Sequence, residues 1–181
     1  MTFRFNFDKA LQAAAVFLSL DGEQMERIRL LKLLYITDRE LLAETGRTIT
    51  GDRVVAMEHG PVLSQVYDLI KGEASRAGEW NHYIRTLGHR VELRKDPGRG
   101  ELSRGEVQKI TEVTDRFRNL DDWSLSELTH DFPEWSTHFV KGTSNSIPWR
   151  SVLAAQGKEE LVEVIECEEA DRRYLDDLFG A

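Results

Sequence analysis

The sequence of 181 residues has one cysteine, no long hydrophobic run and no excess of basic charge. Cys167 has no second cysteine to pair with, so we expect no intramolecular disulfide and a reducing compartment, the cytoplasm. The longest apolar run, from Ala10 to Leu20, contains Gln12 and is shorter than the ~20 residues that span a bilayer. We therefore expect no membrane segment. The net charge of -8 opposes binding to nucleic acid, which normally requires a basic face.

Motifs of known catalytic sites are also missing. The sequence contains no Walker A, Gly-x-Gly-x-x-Gly or Gly-x-Ser-x-Gly motif. Its histidines do not have the spacing of a metal site, and glutamates on both sides of Cys167 disfavour a reactive thiolate. We expect no enzyme, no cofactor and no metal. A hydrolase that uses His59 or His130 with Asp38 is a remote alternative.

Helical periodicity dominates what is present. A first helix is predicted from Asp8 to Leu20, and a second from Met25 to about Thr45, ended by Gly46. The second helix is apolar around most of its circumference, which predicts a central, buried position. Gly60-Pro61 is interpreted as the start of another helix. We expect one mainly α (α+β) domain over residues 1–181, a compact helical domain with a central buried helix and a small β-hairpin.

The β-hairpin is predicted between His82 and Leu93. In the predicted register, Ile84 pairs with Val91 and His82 with Leu93, around a turn at Leu87-Gly88. Because leucine is disfavoured where φ is positive, a four-residue loop is an equal alternative that gives the same register.

The second half of the chain is predicted to contain shorter helices. Ser103 with Glu106, and Ser124 with Glu127, have the spacing of capping boxes at helix starts. Residues 158–179 are expected to form an acidic C-terminal helix.

Asp38 is unusual because it falls inside the most apolar helix, where a carboxylate is costly unless it is paired or hydrogen-bonded. We hypothesise that Arg53 or His59 reaches back to Asp38 and fastens the segment after Gly46 onto the helix. The alternative is that Asp38 lies on a narrow solvated edge of the helix.

Several stretches of sequence occur together in one known family. They are residues 32–39 (KLLYITDR), 46–52 (GRTITGD) and 56–62 (AMEHGPV), followed by Tyr67-Asp68. Together they resemble the Panacea domain of SocA-like antitoxins. Weaker similarity in later segments extends the resemblance over about residues 25–153.

The resemblance implies a mainly helical protein without enzymatic activity. It implies an antitoxin of a type II toxin-antitoxin system that neutralises a cognate protein toxin by direct binding. The alternative that it implies is a proteolytic adaptor that delivers the toxin to the ClpXP protease. Relatives include phage-associated proteins and proteins fused to DNA-binding modules.

Charge is unevenly distributed along the chain. Residues 158–179 contain nine acidic and three basic residues, so they carry -6 of the total -8. If exposed, this helix is expected to steer a basic toxin. The alternative is that its apolar side chains pack on the core. Residues 85–104 carry +3, which is the best candidate for a nucleic-acid surface and would suit a DNA-binding regulator, a remote alternative.

The candidate partner-binding or scaffold residues follow from the helix with Tyr35 and Asp38 and from the segment predicted to fold over it. They are Tyr35, Asp38, Arg39, Arg53, His59, Pro61 and Tyr67.

Overall fold

The computed structural model describes residues 1–179, apart from the side chains at positions 173, 176 and 177. The fold is mainly α with two small antiparallel sheets, which confirms the predicted fold class. The helices are α1 (Phe7–Leu20), α2 (Arg27–Thr45), α3 (Ser64–Lys71), α4 (Ala77–Tyr83), α5 (Arg104–Phe117), α6 (Asp122–Leu128), α7 (Pro133–His138), α8 (Trp149–Ala155) and α9 (Leu161–Phe179). The strands are β1 (Gln24–Glu26), β2 (Val54–Met57), β3 (Gly60–Leu63), β4 (Ile84–Leu87), β5 (Arg90–Leu93) and β6 (Asn145–Ile147).

Helix α2 is the central element, as predicted. Every residue from Arg29 to Asp38 is buried, because α1, α5, α6 and β3 pack around this part of the helix. The helix ends at Gly46, whose φ of 73° is the left-handed conformation expected of a helix stop. Within residues 1–179, no helix combines the length and apolar composition that crossing a bilayer requires.

The first sheet has the strand order β1-β5-β4 and contains the predicted hairpin in a different register. Ile84 pairs with Leu93 and Thr86 with Val91, so the predicted pairing of Ile84 with Val91 is wrong by two residues. The turn uses Gly88, with a φ of 61°, in place of Leu87, because glycine alone adopts positive φ without cost. His82 is not in the hairpin, since it belongs to α4. A shift of two residues keeps the same side chains on the same face.

The second sheet has the strand order β3-β2-β6 and corrects the interpretation of Gly60-Pro61. These residues do not start a helix. They form β3, in which Pro61 pairs with Ala56, and α3 begins only at Ser64. Proline is tolerated here because β3 is an edge strand, which needs hydrogen-bond donors on one side only.

One of the two predicted capping boxes is present. The Ser103 hydroxyl accepts a hydrogen bond from the Glu106 backbone, and the Glu106 carboxylate accepts one from the Ser103 backbone. The second prediction is wrong, because Asp121 caps α6 and its carboxylate accepts a hydrogen bond from the Ser124 backbone N–H at 3.0 Å. Aspartate is as good a helix cap as serine, and the two patterns lie three residues apart.

Buried Arg29 connects α2 to the end of α5. Its guanidinium donates hydrogen bonds to the carbonyl oxygens of Phe117 at 3.0 Å and Leu120 at 2.8 Å. The last carbonyls of a helix have no partners within the helix and carry partial negative charge. Arg29 therefore joins α2 to the turn that follows α5, and its positive charge lies against two carbonyl oxygens of that turn.

The acidic C-terminal helix forms as α9, and those of its described apolar side chains that pack on the core lie in its first half. Ile165 is buried, and Leu161 contacts the core. The interpretation that the other apolar side chains also pack there is wrong for four of them, which are exposed: Val164, Leu175, Leu178 and Phe179. The apolar side chains that this alternative placed on the core therefore lie on two faces of the helix.

Gly51 and Gly88 allow a matched test of how tightly the segment after α2 is packed. Their φ angles are 63° and 61°, so alanine has nearly the same backbone strain at either position. A Cβ atom at Gly51 would lie 2.1 Å from the Arg4 carbonyl oxygen, whereas Gly88 faces open space. We expect Gly88→Ala to lower the free energy of unfolding by about 1 kcal/mol, and Gly51→Ala by about 3 kcal/mol or more. Urea unfolding measures both, and equal losses would contradict the close packing.

Candidate functional site

Asp38 lies in the middle of α2 with its carboxyl group fully buried. Oδ1 accepts a hydrogen bond from the Ile49 backbone N–H at 2.7 Å, and Oδ2 accepts one from the Thr50 hydroxyl. Burial raises the pKa of Asp38 to about 7, although these donors act in the opposite direction. The carboxyl group therefore fastens the segment after α2 onto the helix, as hypothesised, and the alternative of a solvated edge is wrong.

The predicted partners of Asp38 are wrong. Arg53 and His59 are both exposed, and no hydrogen bond joins either side chain to Asp38 among the described residues. Backbone N–H groups take their place, because a loop that folds over a buried carboxyl group must itself satisfy its buried donors.

Asp52 makes a second attachment from the same segment. Its Oδ1 accepts a hydrogen bond from the Gln65 backbone N–H at 3.0 Å, and its Oδ2 accepts one from the Val66 N–H at 2.9 Å. These are orphan donors at the start of α3, where a negative charge is favourable. The indole N–H of Trp149 donates to the Asp52 carbonyl oxygen at 2.9 Å. Asp52 thus links α3 and α8 to the segment that Asp38 holds.

A buried glutamate ties α7 to α2. The Tyr35 hydroxyl donates to Glu134 Oε1 at 2.7 Å, and Arg39 Nε donates to the same oxygen at 2.6 Å. The Arg39 guanidinium also lies 4.2 Å from the centre of the Phe132 ring. Burial, followed by the charge of Glu134, raises the pKa of Tyr35 well above its usual value. The hydroxyl therefore stays protonated and donates a hydrogen bond to Glu134. A buried carboxylate is tolerated when it is paired in this way.

Lys32 is fully buried on α2 and contacts the β2–β3 hairpin. Its Nζ donates to the Pro61 carbonyl oxygen at 2.8 Å. Burial lowers the pKa of Lys32 to about 7. A Cβ atom at Gly60 would lie 2.8 Å from this Nζ and 2.3 Å from Thr129 Oγ1, so the tip of the hairpin fits only without a side chain at Gly60.

The tip of the same hairpin is held from its other side by α6 and α7. The Ser126 hydroxyl donates to the His59 carbonyl oxygen at 2.9 Å, and the Trp135 indole N–H donates to the Met57 carbonyl oxygen at 2.9 Å. The His130 ring stacks on Trp135 with a centroid distance of 4.2 Å. Burial, followed by the positive charge of Lys32, lowers the pKa of His130.

The seven candidate residues do not share one surface. Tyr35, Asp38 and Pro61 are buried, Arg39 and Tyr67 are partly buried, and Arg53 and His59 are exposed. The structure joins Tyr35 and Arg39 through Glu134. His59 lies apart from them with its ring 5.2 Å from that of exposed Trp123, so the buried members can hold the structure together but cannot touch a partner.

Three residues of this arrangement were not among the candidates: Lys32, Asp52 and Glu134. Lys32 and Asp52 lie in the stretches that resemble the family, and a buried lysine in an apolar helix gives the same signal as Asp38. Glu134 gave no signal, because the short segment after Pro133 has no clear periodicity.

Four polar residues of α2 connect it to three neighbouring segments. Lys32 binds the β2–β3 hairpin, Asp38 binds the segment after Gly46, and Tyr35 and Arg39 bind α7. Among the described residues, no three histidine, cysteine, aspartate or glutamate side chains are grouped so that they could hold a metal ion. The arrangement can therefore fix surface segments in place.

Replacement of Asp38 tests the attachment to Ile49 and Thr50. Asp38→Ala leaves two buried backbone N–H groups and the proton of the buried Thr50 hydroxyl without an acceptor, so we expect a loss of about 3 kcal/mol in the free energy of unfolding. Asp38→Asn keeps one carbonyl acceptor and the volume, so the expected loss is about 1 kcal/mol. Urea unfolding at pH 6 compares the two variants. Two losses that are equal and small would contradict a buried anchor.

The lowered pKa of Lys32 predicts that the free energy of unfolding depends on pH. Its pKa falls from 10.5 in the unfolded chain to about 7 in the folded protein, so the unfolded chain binds more protons between these values. The stability of the wild type is therefore highest above pH 10.5, where Lys32 is neutral in both states, and it decreases progressively as the pH falls from there to the folded pKa of about 7. Lys32→Met has no titrating group at this position. We expect its free energy of unfolding to rise relative to that of the wild type by about 1.4 kcal/mol for each unit by which the pH is lowered from 9.5 to 7.5.

Unfolding curves of the wild type and Lys32→Met at several pH values provide this measurement. Exposed Lys141→Met serves as the control, and we expect its difference from the wild type to be independent of pH in this range. A constant difference for Lys32→Met would show that Lys32 is not desolvated.

A family model described as "Antitoxin SocA-like, Panacea domain" matches residues 30–136, more than half of the chain. The match includes Lys32, Asp38, Asp52 and Glu134, the residues that attach surrounding segments. The comparison with curated proteins found no match, and the comparison with solved structures found none either. On the strength of the family match, the chain belongs to the SocA-like antitoxins with a Panacea domain.

Proposed function

We propose that this protein is the antitoxin of a type II toxin-antitoxin system and that it neutralises a cognate protein toxin by binding it directly. Membership of the SocA-like antitoxin family is the observation that carries the proposal. An antitoxin of this type must present a stable surface to its toxin. The attachments made by Asp38, Asp52 and Glu134 support such a role, because they hold irregular segments in one conformation.

We also propose that the protein acts by binding and not by catalysis. A general acid or base has to lie within hydrogen-bonding distance of the substrate group to which, or from which, it transfers a proton. Here the carboxyl group of Asp38 faces the backbone of its own chain, and Glu134 is bonded to Tyr35 and Arg39. These contacts support a structural use of the ionisable groups.

Electrostatics supports a basic toxin as the partner. The chain carries a net charge of -8, of which -6 lies in residues 158–179. Complementary charge raises the rate of association and suppresses wrong partners. The proposal places the pair in the cytoplasm, where the exposed thiol of Cys167 stays reduced.

Co-expression with the product of a neighbouring reading frame tests the proposal. We expect the neighbour to arrest growth when it is expressed alone, and the wild-type antitoxin to restore growth and to co-purify with it as a stoichiometric complex. An unrelated acidic protein of similar charge and size is the control for unspecific electrostatic binding. Failure of rescue with every adjacent gene product, together with the absence of a complex, would contradict the proposal.

The same experiment in a strain without ClpX separates direct neutralisation from adaptor action. Direct binding predicts that rescue persists without ClpX and that toxin levels do not fall. If rescue is lost and the toxin accumulates, the protein delivers its toxin to the ClpXP protease.

A further inference from the structure

Among the described side chains of helix α9, the apolar ones that contact the core lie in its first half. Ile165 is buried, and a Cβ atom at Gly46 would lie 3.2 Å from Ile165 Cγ1. The Arg150 guanidinium donates to Glu166 Oε1 at 2.8 Å. These contacts fix the direction of the helix at the end of α2. They also fix which of its faces points away from the core.

Several large apolar side chains of α9 are exposed. The exposed fractions lie between 49% and 67% for Val164, Tyr174, Leu175 and Leu178, which we call the outer stripe of α9. At 3.6 residues per turn, these four positions fall within about 100° of one another, and their centre lies about 130° from Ile165. Exposed apolar patches of this kind mark sites of protein–protein contact. The outer stripe is therefore a second apolar face, which the protein's own core does not cover.

Acidic residues border and interrupt the outer stripe. Glu163 and Glu168 are exposed at its two edges, and exposed Asp171 lies within its arc. With nine acidic and three basic residues, the segment 158–179 has a net charge of -6. Such a surface is complementary to an apolar groove whose rim carries lysine and arginine.

The charge also selects among the possible occupants of the outer stripe. A second copy of the chain would bring a segment of charge -6 against one of the same charge, which is unfavourable. The rest of the same chain has a net charge of only -2, and the contacts of Ile165 turn the stripe away from it. A basic partner satisfies both the apolar side chains and the acidic border.

We propose that the outer stripe of α9 docks into an apolar groove with a lysine- and arginine-rich rim on the cognate toxin. This inference rests on the proposed antitoxin function and names the element that performs it. Helix α9 lies outside residues 30–136, which the family model matches. The stripe thus adds a toxin-binding element to the domain that the family shares.

Substitution of the stripe tests the proposal directly. Leu175→Asp combined with Leu178→Asp removes two apolar contacts, and it should leave the thermal unfolding midpoint unchanged because both side chains are exposed. We expect the affinity for the co-expressed toxin to fall about 100-fold or more. Val140→Asp is the matched control, since Val140 is equally exposed and lies outside α9. If the wild type binds the toxin and the double variant binds it with unchanged affinity, docking through the outer stripe is contradicted. The proposed antitoxin function is not affected by that result.

The acidic border has a separate kinetic signature. Replacing Glu163 and Glu168 by Gln and Asp171 by Asn should slow association with the toxin about 10-fold at low salt and flatten its dependence on salt. The dissociation rate should change little. An unchanged association rate would overturn the electrostatic part of the proposal.

A photo-crosslinker identifies the occupant of the stripe. With p-benzoylphenylalanine in place of Tyr174, irradiation of cells that express the full chain and the toxin should give one heterodimeric product. A crosslink to a second copy of the chain, a crosslink within the chain, or no crosslink while the wild type still rescues growth would overturn the inference. If the wild type neither rescues growth nor binds the toxin, the proposed function fails and the inference fails with it.

Discussion

The hydrogen bonds from Ile49 and Thr50 to the buried carboxyl group of Asp38 fix the path of the chain after the central helix. A helix that is buried on nearly all sides cannot leave polar side chains without partners, because each would lose its hydration without compensation. For four of the polar side chains of α2, the partners come from three separate segments, and Arg29 binds the end of α5. Lys32 binds a β-hairpin, Asp38 binds the segment after the helix, and Tyr35 with Arg39 binds α7. One element thereby determines where irregular chain lies on the surface.

Structural attachment and the proposed partner binding lie in different parts of the chain. The part matched by the antitoxin family contains the attachments of α2, and these use ionisable groups to hold structure. Helix α9 follows this part, is docked through Ile165, exposes an apolar stripe and has most of the net negative charge of the chain in its sequence. A firmly packed body that carries an exposed acidic helix suits a protein that must meet a basic partner quickly and then hold it. Both properties support the proposed neutralisation by direct binding.

Much of the fold follows from periodicity and punctuation in the sequence. The first two helices, the stop at Gly46 and the cap at Ser103 depend on local signals, and the structure confirms them. The hairpin register depended on which residue adopts positive φ. In the structure this residue is Gly88 and not Leu87. Pro61 fits either a helix start or an edge strand, so only the pairing of β2 with β3 distinguishes the two.

The site was less predictable because its contacts are not local. Asp38 could be recognised as a buried carboxyl group that needs a partner, but its partners are backbone N–H groups, which every residue carries. Glu134 lies about a hundred residues from Tyr35 in a segment without periodic pattern. In α9 the sequence pattern does not distinguish the buried apolar side chains from the exposed ones. Only the orientation set by Ile165 tells which of them faces the core.

Native-state hydrogen exchange of the wild-type protein tests most directly whether buried carboxyl groups clamp these segments. The amides of Ile49, Thr50 and Val66 lie outside the regular hydrogen bonding of α2 and donate to Asp38 or Asp52. If the segments are clamped, these amides exchange only through global unfolding, with the same free energy as the amides in the middle of α2. Exchange through local opening at a much lower free energy, while α2 stays protected, would contradict the clamp.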